Sequence, residues 1–258
     1  MTSSSASNTV NQKEFAQELA DTLGNELRRH QSNEPLRIFV GFDDRQPVSF
    51  TTLMTSIYRR SSKPVAITPI VLPTIPLTRT GLTPFTWSRF MVPWLCDYKG
   101  WALFMDIDMI LRDDISKLFA LADDKYAAMV SKNSMKFEWA SLILFNCGHP
   151  SNKVLTPKNI ESAKSLHGMN WLKDEEVGAL PGEWNHLVGY DTPREDAKLV
   201  HFTQGVPAYE ETKDSEYAKE WNTDAQAAMG TQPWATLMGH SVHTKVVDGK
   251  LVPKYKKE

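Results

Sequence analysis

Asp106 and Asp108 close the apolar run Trp101-Ala-Leu-Phe-Met-Asp-Ile-Asp, and their spacing is the strongest chemical signal in the chain. A short apolar run bounded by turn signals reads as a buried parallel strand. Carboxylates are rarely buried unless something compensates their charge. Residues at i and i+2 of an extended segment project to the same side, where like charges repel unless a hard cation sits between them. The expected chemistry is a divalent metal carrying a phosphorylated substrate at the C-terminal edge of an α/β sheet. An Asp-rich turn or helix cap is the plainer alternative, and the second apolar stretch, Met109-Ile-Leu, argues against an exposed loop. Asp113 and Asp114, just before the helix-like Ile115-Ser-Lys-Leu-Phe-Ala-Leu, read as helix caps instead.

Strands and helices alternate around this segment. Leu36-Arg-Ile-Phe-Val-Gly reads as a short buried strand, and Pro47 suits the first turn of a helix reaching about Arg60. Val65 to Leu72 reads as the next strand and Pro73 to Pro84 as a long loop. A helix holding Trp87 to Cys96, interrupted at Pro93, leads into the strand before Asp106; Ala127 to Val130 and Ser141 to Phe145 are further strands. Alternation of this kind implies a mostly parallel sheet covered on both faces, with ligands beyond the carboxyl ends of its strands. Asp43, Asp44, Asp106 and Asp108 would all lie there. There is no Gly-x-Gly-x-x-Gly after the first strand and no Walker-type lysine, which excludes the usual dinucleotide and P-loop sites.

Three segments are expected. Residues 1–34 hold a Ser-rich stretch and an amphipathic helix with Phe15, Leu19, Leu23 and Leu27 at i+4 steps. That helix could pack on the core or serve as a homo-oligomer or membrane-associated handle. Residues 35–209 form the α/β domain, and residues 210–258 a polar tail that packs on it or is partly loose. A net charge of −2 gives no drive toward nucleic acid. No apolar stretch reaches the ~18 residues of a membrane span, and the N-terminus lacks the features of a secretory signal. Cys96 and Cys147 lie in apolar sequence, as reduced core thiols would, and a cytoplasmic protein is expected.

Four blocks, spanning about Leu36 to Tyr209, together resemble the nucleotide-sugar glycosyltransferases of the GT-A (Rossmann-like) fold, similar to family 8 and its bacterial relatives. They are Phe39-Val-Gly-Phe-Asp-Asp-Arg; Ser88-Arg-Phe-Met-Val-Pro-Trp-Leu leading into Phe104-Met-Asp-Ile-Asp; Trp139-Ala-Ser-Leu-Ile-Leu-Phe-Asn-Cys followed by Val177-Gly-Ala-Leu-Pro-Gly-Glu-Trp-Asn; and Val200-His-Phe-Thr-Gln-Gly-Val-Pro. The resemblance implies a retaining hexosyltransferase using a UDP-hexose and a divalent cation, Mn²⁺ ahead of Mg²⁺. The acceptor would be a carbohydrate, glycolipid or protein.

The resemblance also implies roles. Phe42 and Asp43 would hold the base and ribose, although Asp43-Asp44 is equally a turn or cap before Pro47. Arg89 would steady the donor near the metal; by itself it reads as a surface helix arginine. His201 would be the third metal ligand beside Asp106 and Asp108, its plainer reading being a hydrogen-bonded core histidine. Asp174 and Glu175 would serve the donor sugar, or form a solvated acidic turn. Trp184 and Asn185 would line the acceptor side, and Asn146 would reach the acceptor or cap a turn. The family's histidine block usually continues through a glycine to a lysine that contacts the diphosphate. This chain has an extra residue before Gly205 and no lysine, and backbone N–H groups around Gly205 are the expected replacement. Two competing classes are a non-catalytic nucleotide-sugar or glycan-binding module and a metal-dependent nucleotidyl- or phosphoryl-transfer enzyme.

Overall fold

The computed structural model describes residues 34–133, 135–230 and 244–253. The helix expected around Phe15 to Leu27 lies outside them. By its internal contacts the chain divides into Met1–Pro35 and Leu36–Glu258, and the fold below is that of the second unit.

Strand β1 (Leu36–Gly41) is followed by helix α1 (Pro47–Tyr58), strand β2 (Val65–Ile70) and two short helices, α2 (Phe85–Ser88) and α3 (Val92–Leu95). A 3-10 turn, Arg89–Met91, joins α2 to α3, so the expected interruption appears as a bend, with Pro93 in the first turn of α3, where its missing N–H costs nothing. Then come β3 (Trp101–Met105), β4 (Met109–Leu111), α4 (Ile115–Phe119), β5 (Ala128–Ser131), β6 (Leu142–Asn146) and α5 (Pro157–Ser162). The remaining elements are β7 (Val177–Leu180), β8 (His186–Leu187), β9 (Leu199–His201), α6 (Ala218–Met229), β10 (Thr244–Val247) and β11 (Lys250–Pro253). Among the described residues no helix is long and apolar enough to cross a membrane.

The main sheet has the order β2-β1-β3-β6-β5-β7. It is mostly parallel, but β6 pairs antiparallel with both β3 and β5. Its strands are apolar on both faces because helices and loops cover both sides: Ile38, Val40, Leu103, Phe104, Met105, Leu142, Ile143 and Leu144 are all fully buried. Each such side chain contributes about 1.5–3 kcal/mol by leaving water.

A second, three-stranded sheet has the order β4-β9-β8. It brings a distant part of the chain to the Asp-Ile-Asp segment, because β4 begins one residue after Asp108 and pairs antiparallel with β9. Its own apolar cluster includes Ile110, Val200, Phe202, Trp221 and Ala225. The last two lie on α6, a helix within the expected tail. Asp224 of the same helix is fully buried and accepts from Arg59 Nη1 at 2.8 Å and Arg60 Nη1 at 2.9 Å, which ties α6 to the end of α1.

Candidate active site

Asp106 leaves the C-terminal end of β3, and its amide donates to the Ser141 carbonyl at 3.0 Å. Asp108 stands where the chain enters β4. In the β4–β9 register Met109 faces His201, and Phe202 N donates to Asp108 O at 2.9 Å, so the short sheet sets His201 beside Asp108. One ligand atom from each of Asp106, Asp108 and His201 falls within 4.8 Å of the others.

The surroundings of these atoms fit a cation. Asp106 Oδ1, Asp108 Oδ1 and His201 Nδ1 are buried without an aligned hydrogen-bond partner. Ion-pair neighbours are nonetheless close: Arg89 Nη1 stands 3.2 Å from Asp106 Oδ1, and His201 Nε2 stands 3.3 Å from Asp108 Oδ1. Buried carboxylate oxygens without partners are costly, and a hard divalent ion would take up both of them beside the Nε2 edge of His201. Burial pushes the Asp106 carboxyl up to about 7; Arg89 and His201 oppose that rise, while Asp108 and Glu138 add to it. Burial alone would lower the His201 imidazole, but Asp108, Asp106 and Glu138 outweigh it and raise the group above its ordinary value. Any proton held by these groups would have to leave before they could ligate a metal, so metal binding and protonation are linked here.

Arg89 is in the group, but as a buried wall, 6% exposed. Its Nη1 donates to the Ala140 carbonyl at 2.7 Å and its Nε to the Phe85 carbonyl at 3.3 Å. Those bonds and its pairing with Asp106 leave its guanidinium fixed. Asn185 is also close by: it is buried and donates from Nδ2 to Ser141 Oγ at 2.9 Å, while its Oδ1 has no partner.

Other expectations meet different surroundings. Asp43 is fully buried and its carboxylate is taken by Arg45, with Nε to Oδ1 at 2.9 Å and Nη2 to Oδ2 at 2.6 Å. The Arg45 hydrogen bonds hold that carboxyl below its ordinary range, against the effect of burial. Phe42 packs edge-on to Phe50 at 5.5 Å. Gly205 has φ of +111°, which suits glycine, and its N–H is spent on the Phe202 carbonyl at 2.8 Å. That amide is therefore committed within its own turn.

Other expected site residues stand apart from the ligand group. Asn146, at the end of β6, is expected from sequence to reach the acceptor or cap a turn. The strand is antiparallel and Asn146 faces Trp101 at the start of β3, while Leu142 faces Met105. Asn146 therefore lies at the sheet edge away from Asp106, where its Nδ2 donates to the Asp124 carbonyl at 3.3 Å. Trp184 is 1% exposed and belongs to the main core, with Lys198 Nζ 5.3 Å from its ring centre, so its face is covered by protein and not open to a sugar. Asp174 and Glu175 are exposed in the 3-10 turn before β7 and do not join the ligand group. Asp174 instead lines a cavity of about 390 Å³ with Lys132, Lys136, Trp139 and Asn170.

Sequence reasoning missed two residues. Glu138 lies on the 3-10 turn Lys136–Ser141, with its Oε2 3.9 Å from His201 Nδ1. Ser141 links Asp106 to Asn185 through its carbonyl and hydroxyl. Glu138 has no motif of its own, whereas Ser141 lies within the Trp139-Ala-Ser-Leu block and was passed over for the asparagine at its end.

The comparisons with known proteins agree with this geometry. No family model matches the chain. Among solved structures, the bifunctional glycosyltransferase WbbM superposes with a TM-score of 0.60 at 15% identity, over 81% of this chain and 52% of that one. GlyE of Streptococcus pneumoniae gives 0.57 at 16% identity, over 80% and 62%. The galactosyltransferase LgtC, in complex with donor and acceptor sugar analogs, gives 0.53 at 12% identity, over 79% and 99%. The chain thus spans about half of WbbM and less than two thirds of GlyE. Identities this low establish the fold, which is GT-A. Protein CDI of Arabidopsis thaliana is 39% identical, a match covering 73% of this chain and 85% of that protein. At that identity over most of both proteins, this chain, built on the GT-A glycosyltransferase fold, belongs to the family of the plant Protein CDI.

Proposed function

We propose that this protein is a divalent-cation-dependent glycosyltransferase that moves a hexose from a UDP-sugar to a carbohydrate-type acceptor. The observation that carries this reading is the Asp106–Asp108–His201 group at the C-terminal edge of a GT-A sheet, in which a buried oxygen of each carboxylate lacks an aligned partner. Solved proteins on this fold include LgtC with donor and acceptor sugar analogs, which supports a nucleotide-sugar substrate here. Two carboxylates and one imidazole suit Mn²⁺ better than an all-oxygen site would. When bound, the cation supplies Lewis-acid neutralisation of the charge that gathers on the departing nucleoside diphosphate.

The chain's own residues do the positioning. Arg89 holds Asp106 in a fixed rotamer through its bonds to Ala140 and Phe85. Asp108 orients the His201 ring through Nε2, and Glu138 faces the other ring nitrogen. These partners restrict each ligand before any substrate arrives, so little reorganisation is needed. The sugar would pass through an oxocarbenium-like state, with retention at the anomeric carbon, in a cytoplasmic enzyme. A second reading, a nucleotide-sugar-binding protein without turnover, is favoured by one observation: Asn146, Asp174 and Glu175 all stand outside the ligand group.

One assay separates the two. Purified protein is incubated with Mn²⁺ and a panel of nucleotide sugars, and release of UDP is followed, since water can take the acceptor's place. Metal-dependent release from a UDP-hexose is expected, reduced about 100-fold in Asp108→Asn with thermal stability near that of the parent. Binding of the nucleotide sugar without any release would select the binding protein; neither binding nor release with any divalent metal would sink both readings.

A further inference from the structure

Arg45 is held in an unusual way. Its backbone amide and one edge of its guanidinium are bound to the carboxylate of Asp43, which is 0% exposed, while the Arg45 side chain itself is 64% exposed. A fork gripped along the Nε–Nη2 edge keeps the N–H groups of Nη1 on its other side. Among the described residues Nη1 meets no protein acceptor. The buried partner removes the rotamer entropy that normally weakens a surface arginine, and a pre-ordered guanidinium suits bidentate phosphate binding.

Its place in the fold gives that grip a purpose. Val40 of β1 is in register with Met105 of β3, so Asp43 and Arg45 emerge at the same sheet edge as Asp106. Tyr209 is within electrostatic reach of Arg45. The Tyr209 ring also packs against Gly205, where an added Cβ would come within 3.2 Å of it. Arg45 thus lies at the sheet edge that carries Asp106, and Tyr209 stands between it and the turn after His201. A nucleoside diphosphate arriving there brings at least two negative charges to a group that already holds Asp106, Asp108 and Glu138. Arg89 is walled in by Ala140, Phe85 and Asp106, and the Gly205 amide is committed to Phe202.

We propose that Arg45, oriented by Asp43, is the diphosphate anchor of this site. The proposal rests on the nucleotide-sugar reading above and assigns the cation that completes it. It makes Asp43 a positioning residue that acts through Arg45 rather than a group bonded to the ribose.

Calorimetry with UDP and with UMP, each in the presence of Mn²⁺, tests it on the full chain. Arg45→Gln is expected to weaken UDP binding about 10- to 100-fold while UMP binding changes by less than about threefold, and Arg45→Lys to fall between. Removing Arg45 leaves Asp43 buried and unpaired, so the double variant Asp43→Asn/Arg45→Gln, which removes the charge with its partner, serves if Arg45→Gln fails to fold. Unchanged UDP affinity in these variants, or equal losses for UDP and UMP, would overturn the anchor while leaving the nucleotide-sugar reading intact. Failure of the parent protein to bind UDP at all would overturn both.

Discussion

Asp106 shows how burial turns an ordinary carboxyl into a metal-sensitive one. Withdrawn from water at the end of β3, it is pushed up to about 7, and His201 beside it is raised as well. Both groups must lose a proton to become ligands, so their effects on metal affinity share one sign: binding is strong above the raised values and weakens as pH falls through them. Mn²⁺ affinity measured by calorimetry is therefore expected to drop about 10-fold or more between about pH 8 and about pH 6, with proton release on binding near pH 7. A flat profile across that range would show that neither group changes protonation when metal binds. Glu138 adds to the effect on both residues, and Glu138→Gln should displace the profile toward lower pH.

At the scale of elements, His167 acts as a rivet between the α2–α3 segment and the turn before β6. Its ring stacks on Phe137 at 4.5 Å and meets Trp87 and Phe90 edge-on. Burial, followed by the nearby Arg89, lowers its pKa to about 4. A histidine lowered on folding favours the native state in its neutral form. Its contribution is complete above the unfolded value near 6.5 and is lost as pH falls through about 4. The full span corresponds to a change on the order of 3 kcal/mol. The melting temperature should accordingly fall on acidification from about pH 6.5 to about pH 4.5, and less so in His167→Phe, which keeps the ring packing and removes the titrating nitrogen. Equal slopes in the two proteins would show that other groups carry the acid sensitivity. Asp114 works at a neighbouring element boundary: it accepts from Ser116 N at 2.9 Å as the cap of α4 and from Ser62 N at 3.1 Å, joining α4 to the turn after α1.

For the whole molecule, the division of the chain at Pro35 and Leu36 sets an expectation about autonomy. Strand β1 starts at Leu36, whose amide already bonds the Pro64 carbonyl at 2.8 Å, and every element of the α/β unit lies after it. A chain beginning at Glu34 is expected to unfold in a single transition within about 3 °C of the full-length protein and to bind UDP equally well. Loss of cooperative unfolding on truncation would show that residues 1–33 complete the core.

By itself the sequence determined the strand before Asp106, the metal-type carboxylate pair, the Asp114 cap of α4 (Asp113, also read as a cap, instead accepts from Asp114 N and Lys117) and the family resemblance. All of these depend on residues within a few positions of one another, where periodicity and side-chain chemistry act directly. His201 was reached only through the resemblance, since an isolated histidine after an apolar pair has many uses. Tertiary structure decided the rest, because strand direction and burial are properties of the packed sheet and not of a local run. An antiparallel β6 sends Asn146 to the far edge and brings Ser141, with Asn185 bonded to it, to the near one. Packing closes the faces of Trp184, and the buried Asp43 carboxylate is paired with the exposed Arg45. The pairing of Met109 with His201 joins segments about ninety residues apart, and only that register makes one site of them.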